Sequence, residues 1–208
     1  AQNEETAVNA TFALGNLAGN AEVQEILLGE GFIQALLPAC TVPNNQIKLY
    51  ILTLFRTLLD PKEGEQVDQH RLHCAFKEGM LTQVIEMLGE RSVPIQRNAL
   101  RVLGRFLEHQ IYRDFTTERD GINLFVKAVA SKDSKVRTGG MQCLLAFMDD
   151  EVLLREMQKH NLATYLVQAY KLSQQLKNLD NQILSATCIS LLALVPEVQG
   201  LVMSLDRK

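Results

Sequence analysis

Apolar and polar positions along this chain repeat with the period of an α-helix. Five segments share one pattern, in which small or apolar residues follow a starting residue at offsets of 4, 7, 8 and 11. The segments are Thr6-Ala10-Ala13-Leu14-Leu17, Ile47-Ile51-Leu54-Phe55-Leu58, Ile95-Ala99-Val102-Leu103-Phe106, Val136-Gly140-Cys143-Leu144-Phe147 and Ile183-Thr187-Ser190-Leu191-Leu194. These offsets describe one face of a helix. The pattern therefore predicts five long helices, which start 41 to 48 residues apart and bury that face.

A second signal lies between the long helices. Each of four helix-like segments ends at a residue that tolerates positive φ and is followed at once by another apolar helical segment. These residues are Gly31, Gly79, Gly121 and Asn161. Glycine and asparagine are the residue types that enter the left-handed region most readily. We therefore predict a left-handed turn that joins two helices at each of the four positions.

The starts of the long helices carry capping residues. Asn44-Asn45, Ser92-Val93-Pro94, Asp133-Ser134 and Asp180-Asn181 precede the last four. Short polar side chains cap helix N-termini, and proline suits a first turn. No alternating strand pattern bounded by hairpin turns occurs. Each unit is therefore predicted to contain a short helix, a turn, a second helix, a loop and a long third helix, and such units bury their apolar faces by stacking.

Two stretches resemble a known family. Residues 13–19, Ala-Leu-Gly-Asn-Leu-Ala-Gly, are similar to the end of the third helix of an armadillo repeat, and residues 30–37 are similar to its turn and second helix. The HEAT repeat is the nearest alternative, and the recurrent glycine turn favours armadillo. The resemblance implies an all-α fold, a right-handed armadillo-type α-solenoid, which is a superhelix of three-helix repeats.

The expected domain organisation is a single solenoid over residues 1–208. It would hold about four to five repeats, with units at about 1–43, 44–91, 92–132, 133–179 and 180–208. The chain starts on a third helix, and Pro196–Met203 resembles a first helix. We therefore expect a fragment of a longer protein, with further repeats or caps at both ends.

In armadillo proteins the third helices line a concave groove, and peptide-binding members place an aromatic residue and, four residues later, an asparagine there. By offset, the aromatic position holds Phe12, Thr53, Arg101, Gln142 and Ile189. The asparagine position holds Asn16, Thr57, Arg105, Ala146 and Ala193. Only the first helix matches at both positions. The resemblance therefore argues against recognition of a basic nuclear-import signal and implies a different partner protein.

An arginine ridge is the most distinctive feature of the predicted groove. Arg97, Arg101 and Arg105 follow one another at intervals of four residues and share a helix face. Guanidinium groups bind carboxylates and phosphates through two hydrogen bonds, so the ridge predicts an acidic or phosphorylated partner segment. The alternative is a solvated face that pairs with acids such as Glu90 and Glu108. The predicted partner-binding residues are Asn9, Phe12, Asn16, Tyr50, Thr53, Thr57, Asn98, Arg101, Arg105 and Gln142.

Composition narrows the function classes. The 208 residues are 47% hydrophobic and carry a net charge of −3, which disfavours nucleic-acid binding. No apolar run is long enough to cross a bilayer, so no membrane insertion is expected. The four cysteines are far apart in apolar segments, which indicates reduced, buried thiols. We therefore expect a cytoplasmic protein, with the nucleus as the alternative.

The sequence offers little for chemistry. His70, His73 and Cys74 are close together, and His70 and Cys74 share a helix face, but a closed zinc site needs four ligands. Nucleophile elbows, phosphate loops and HExxH motifs are absent. No enzyme activity, metal or cofactor is expected. Gly139-Gly140 interrupts the fourth long helix, which indicates a close helix approach or a bend, with a functional hinge as the alternative. Residues 60–69 form a polar insertion.

Three functions fit this reading. The first is a scaffold or adaptor that binds a partner protein through the concave face of the solenoid. The second is a regulatory or autoinhibitory module of a larger enzyme. The third is a cochaperone or small-GTPase regulator that acts by binding.

Overall fold

The described part of the chain is entirely helical apart from turns and loops. A computed structural model describes residues 2–29, 31–60, 68–196 and 199–200. These residues form thirteen helices and no strand: α1 Gln2–Leu17, α2 Ala21–Leu27, α3 Phe32–Cys40, α4 Asn45–Leu59, α5 Gln69–Lys77, α6 Met80–Leu88, α7 Val93–Phe106, α8 Gln110–Glu118, α9 Gly121–Val129, α10 Ser134–Leu145, α11 Glu151–Lys159, α12 Leu162–Gln175 and α13 Leu179–Leu192. The predicted all-α class is confirmed.

The chain divides into two compact units, Ala1–Phe106 and Leu107–Lys208. Each follows the predicted order of short helix, second helix and long third helix. Glu30, most of the polar insertion (residues 61–67) and most of the predicted closing helix (197–198 and 201–203) lie outside the described residues. In the part of the chain that the structure describes, no helix has the length and apolar character of a membrane span.

The turns before the second helices are left-handed, as predicted, at three of four positions. Gly31, Gly79 and Asn161 have φ values of 78°, 89° and 62°. At the remaining turn Asp120, not Gly121, takes the positive φ of 59°. Gly121 is the buried first residue of α9, where a Cβ would lie 2.8 Å from the carbonyl oxygen of Thr116. A glycine is needed there for close packing, and the prediction of its φ was wrong.

The predicted buried face is correct for α4, α7 and α10. In the first unit, α4 packs against both α1 and α7. All five frame residues of α4, from Ile47 to Leu58, are buried, as are those of α7, from Ile95 to Phe106. In the second unit, α10 packs against α9, and the frame from Val136 to Phe147 is buried too. Burial of these residues is the main force that stacks each set of helices.

The frame predicted for α1 is wrong by one residue. Thr11 and Ala18 are buried, whereas Ala10 is exposed and Leu17 is 56% exposed. The buried Thr11 hydroxyl donates to the carbonyl of Ala7 at 2.9 Å, which satisfies it inside the core. The predicted frame and the observed frame both contain alanine and threonine, so hydrophobicity alone does not distinguish the two frames.

The frame predicted for α13 is wrong by two residues. Ile183 is 58% exposed, and the buried positions are Asn181, Ser185, Cys188 and Leu192. The helix also starts earlier than predicted, because the side chain of Asn178 caps it by accepting from the backbone N–H of Asn181. Asn44 and Asp133 cap α4 and α10 as predicted. In all three helices the cap stands three residues before the first core position, which supports the revised frame.

Polar contacts tie neighbouring repeats together within the first unit. The carboxylate of Glu78, at the end of α5, accepts from the backbone N–H groups of Gly31 and Gln34 at 2.9 and 3.1 Å. It therefore caps the N-terminus of α3, a position that stabilises a negative charge. Arg71 is 8% exposed, donates to Gln24 at 2.7 Å and pairs with Glu25. These contacts fix the register of one repeat on the next.

Gly140 permits a close helix approach in the second unit. A Cβ at this residue of α10 would lie 2.8 Å from Cβ of Ala128 and 3.0 Å from the backbone of Phe125 and Val129 on α9. Real Cβ atoms do not come this close to a neighbouring atom, so the two backbones meet only because the side chain is absent. The close helix approach predicted for this glycine pair is therefore observed at Gly140.

Three of the four cysteines are closed to solvent. Cys40, Cys143 and Cys188 are buried, and burial raises the pKa of each thiol to about 12. Near neutral pH these thiols stay protonated, and the reactive species is the thiolate. Cys74 is partly exposed.

We therefore expect one thiol per native chain to react rapidly with Ellman's reagent at pH 7.5, and all four after unfolding. The variant Cys74→Ser should lose the rapid phase, whereas Cys40→Ser should retain it. Rapid reaction of two or more thiols in the native protein would contradict the burial described above.

Candidate partner-binding face of the first unit

The three long helices of the first unit run parallel. At the N-terminal ends, Asn44 before α4 donates to Glu4 in α1 at 2.6 Å. At the C-terminal ends, Arg105 in α7 donates to Asp60 after α4 at 2.9 Å. Like ends are therefore adjacent, and side chains at equivalent positions of successive helices form rows across the face.

Nine of the ten predicted partner-binding residues lie on these three helices. Asn9, Phe12, Asn16, Thr53 and Arg101 are exposed, and Tyr50, Thr57, Asn98 and Arg105 are half-buried. We call these nine residues the third-helix face. The tenth residue, Gln142, is exposed on α10 in the second unit. The revised frame of α1 moves the expected aromatic and asparagine positions to Ala13 and Leu17, so Phe12 and Asn16 do not match the family pattern by position.

An aromatic pair lies where α1 meets α4. The rings of Phe12 and Tyr50 are 5.4 Å apart between centroids and tilted by 54°. Gln46 donates to the Tyr50 hydroxyl at 3.1 Å. Phe12 remains 51% exposed although it packs against Tyr50. An exposed aromatic surface beside polar groups is typical of the residues that dominate binding at protein interfaces.

The polar side chains at the centre of the third-helix face donate hydrogen bonds to backbone carbonyls of their own helices. The hydroxyls of Thr53 and Thr57 donate to the carbonyls of Leu49 and Thr53 at 2.8 and 3.0 Å. The amide of Asn98 donates to the carbonyl of Pro94 at 2.9 Å. These groups therefore do not form a row of free donors for the backbone of a bound segment.

The arginines of the predicted ridge differ in their partners. Nε and Nη2 of Arg105 both donate to Oδ1 of Asp60, at 3.2 and 2.9 Å, and Arg56 Nε lies 3.6 Å from Oδ2 of the same carboxylate. Arg101 is exposed and has no hydrogen bond or ion pair among the described residues. Of the three arginines of the ridge, Arg97 and Arg105 are therefore engaged, and Arg101 is exposed without a partner among the described residues.

The sequence reading missed the acids that serve these cations. The alternative of a solvated face gave acids such as Glu90 and Glu108 as partners of the arginines; in the structure Glu90 pairs with Lys48 at 2.7 Å, and Asp60 pairs with Arg105. Asp60 is 45 residues before Arg105, so only the stacking of α4 on α7 brings them together. The sequence did contain a signal for this pairing. Asp60 directly follows the last apolar residue of α4, and Arg105 lies near the end of α7, so the two meet when the helices pack in parallel.

The second unit contains a polar cleft of about 430 Å³ at the loop between α10 and α11. It is lined by Gln110, Arg113, Ala146, Phe147, Asp149, Asp150, Glu151 and Leu153. Asp150 caps α11 by accepting from the backbone N–H groups of Val152 and Leu153, at 2.8 and 3.2 Å. The carboxylate of Asp150 therefore occupies the N-terminus of the helix.

His70 and Cys74 share a face of α5, as predicted, and His70 Nε2 lies 3.6 Å from the sulfur. Throughout residues 2–29, 31–60, 68–196 and 199–200, no group of three or more His, Cys, Asp or Glu side chains is arranged to hold a metal ion.

No family model and no curated protein matches this chain. Solved structures do. A computationally designed armadillo repeat protein for modular peptide recognition is 13% identical, with a TM-score of 0.76 over 90% of this chain and 76% of its own. A designed armadillo repeat protein in complex with the peptide (KR)4 is 12% identical, with a TM-score of 0.73 over 91% of this chain and 76% of its own.

An engineered protein matches 99% of this chain and 49% of its own length, at 15% identity and a TM-score of 0.76. At such low identity these likenesses show the fold alone. The chain has an armadillo-like repeat fold, an all-α solenoid, as the resemblance implied.

Proposed function

We propose that this chain is a protein-binding scaffold whose third-helix face holds an extended segment of a partner protein. One observation carries the proposal: an exposed arginine, Arg101, and a half-exposed aromatic pair, Phe12 and Tyr50, lie on parallel neighbouring helices of one compact unit. A structural neighbour designed for modular peptide recognition supports this use of the fold.

The charge of the face favours an acidic segment. Arg56 and Arg105 both face the carboxylate of Asp60, and Arg101 lies one helical turn before Arg105. A guanidinium group binds a carboxylate or phosphate with two parallel hydrogen bonds, and Arg105 holds Asp60 through two of its nitrogens. The peptide held by one designed neighbour is instead basic, (KR)4. The proposed partner of this chain is therefore opposite in charge.

The proposal is tested by selecting a displayed library of random 12-residue peptides on the whole chain. The selected peptides should be acidic, and Arg101→Glu should weaken their binding by about tenfold or more, which corresponds to about 1.4 kcal/mol. The matched control is Lys127→Glu, which makes the same charge change at an exposed residue of α9 and should leave binding unchanged.

Binding is measured by fluorescence anisotropy with labelled copies of the selected peptides. Failure to enrich any peptide would contradict the proposal. Equal losses for Arg101→Glu and Lys127→Glu would contradict the assigned face.

A further inference from the structure

We infer that the third-helix face binds two side chains of the partner segment at a fixed separation: an apolar one on Phe12 and Tyr50, and an anionic one on Arg101, about four residues away. This inference rests on the proposed function and specifies the partner that the face recognises. It follows from where the two contact points lie on the parallel helices and from the chemistry of each.

The apolar contact point is the aromatic pair at the boundary between α1 and α4. The Phe12 ring is 51% exposed, while its neighbour Tyr50 is half-buried with its hydroxyl engaged by Gln46. The pair thus offers a ring surface whose polar end is already satisfied. Such a surface gains most from an aliphatic or aromatic side chain that covers the remaining exposed ring area.

The anionic contact point is on the next helix. Arg101 lies one helical turn before Arg105, so both side chains project from the same side of α7. Arg105 shows what this ridge binds, because its guanidinium holds the carboxylate of Asp60. Arg101, one turn earlier, has no ion pair among the described residues. An acidic side chain of the partner would complete the row.

Helix geometry sets the separation. Tyr50 stands three residues after the first core residue of α4, and Arg101 stands six residues after that of α7. At 100° per residue these positions differ by about 60° around the helix, so they open on the same side. Packed helices have axes roughly 8–10 Å apart. The pair lies on the α1 side of α4, away from α7, so its distance to Arg101 is about 12–15 Å, which an extended chain spans in roughly four residues.

The test uses synthetic 12-residue peptides of serine and glycine that carry one phenylalanine and one glutamate, separated by one to eight residues in both orders. Titration into the nitrogen-15-labelled whole chain, followed by NMR, measures affinity and locates the site. Peptides with a separation of about four residues in one order should bind at least fivefold more tightly than those with one or eight. A phosphoserine in place of the glutamate distinguishes a phosphate from a carboxylate as the preferred anion.

Matched variants assign each side chain of the peptide to its contact point on the face. Arg101→Glu should abolish the preference for glutamate and create a preference for lysine at the same separation. Phe12→Ala should reduce binding only of peptides that carry the phenylalanine. Binding at the third-helix face with equal affinity at every separation would overturn the two-point rule and leave the proposed function standing. Selected peptides that bind elsewhere, together with no binding by the series, would overturn both.

Discussion

Replacing Gly140 with alanine should destabilise the second unit by about 2 kcal/mol. The added Cβ would lie 2.8 Å from Cβ of Ala128 and 3.0 Å from two backbone atoms of α9. Backbone atoms of a packed helix cannot rotate away as a flexible side chain can, so α9 and α10 must separate. The loss exceeds the gain of about 1 kcal/mol that alanine normally brings to a helix interior.

Gly104→Ala is the matched control, because it makes the same change inside α7. A Cβ at Gly104 would meet no atom within 4 Å, so only the helix-propensity gain applies. This variant should be more stable than the parent by about 1 kcal/mol. Urea unfolding followed by circular dichroism measures both changes. If both variants changed the stability in the same direction, the absence of a side chain at residue 140 would not be what allows α10 to approach α9.

Replacing Glu90 with alanine should cost the first unit about 2 kcal/mol. Lys48 is only 8% exposed, and its Nζ lies 2.7 Å from Oε1 of Glu90. Removal of the acid leaves a largely buried ammonium group without its counter-charge, which costs more than the pair itself contributes. Glu90 is partly exposed, so water that enters the site reduces the cost below that of a fully buried pair.

The double variant Lys48→Met/Glu90→Gln separates the cost of the unpaired charge from the cost of lost packing. It removes both charges and keeps the side-chain volumes, so it should recover more than half of the stability lost in Glu90→Ala. Chemical unfolding at 50 and 500 mM NaCl supplies the measurement. A double variant no more stable than Glu90→Ala would mean that the cost comes from lost packing and not from the unpaired charge.

The sequence predicted the buried faces of α4, α7 and α10 better than those of α1 and α13. In α4, α7 and α10 the large apolar residues define one face without ambiguity, and burial follows it. In α1 the choice falls between frames made of alanine and threonine. In α13 the polar residues Asn181 and Ser185 occupy the core because Thr138 donates to the Asn181 side chain at 2.6 Å, and the hydroxyl of Ser185 donates to the carbonyl of Asn181.

The candidate site divides in the same way. The armadillo resemblance implied groove positions for Phe12 and Arg101, and both side chains are exposed, although the frame that placed Phe12 was shifted by one residue. The pairing of Arg105 with Asp60 and the contact of Phe12 with Tyr50 were not predicted, because each joins residues 38 or more positions apart on different helices.

The sequence by itself determined the all-α class, the repeat of about 40 to 48 residues and three of the four left-handed turns, because these depend on local backbone preference and helical period. Only the tertiary structure decided that Asp120, and not Gly121, takes the positive φ, since packing against Thr116 leaves residue 121 no room for a side chain. It also decided that Arg105 is engaged, because the acid that pairs with it comes from a neighbouring repeat.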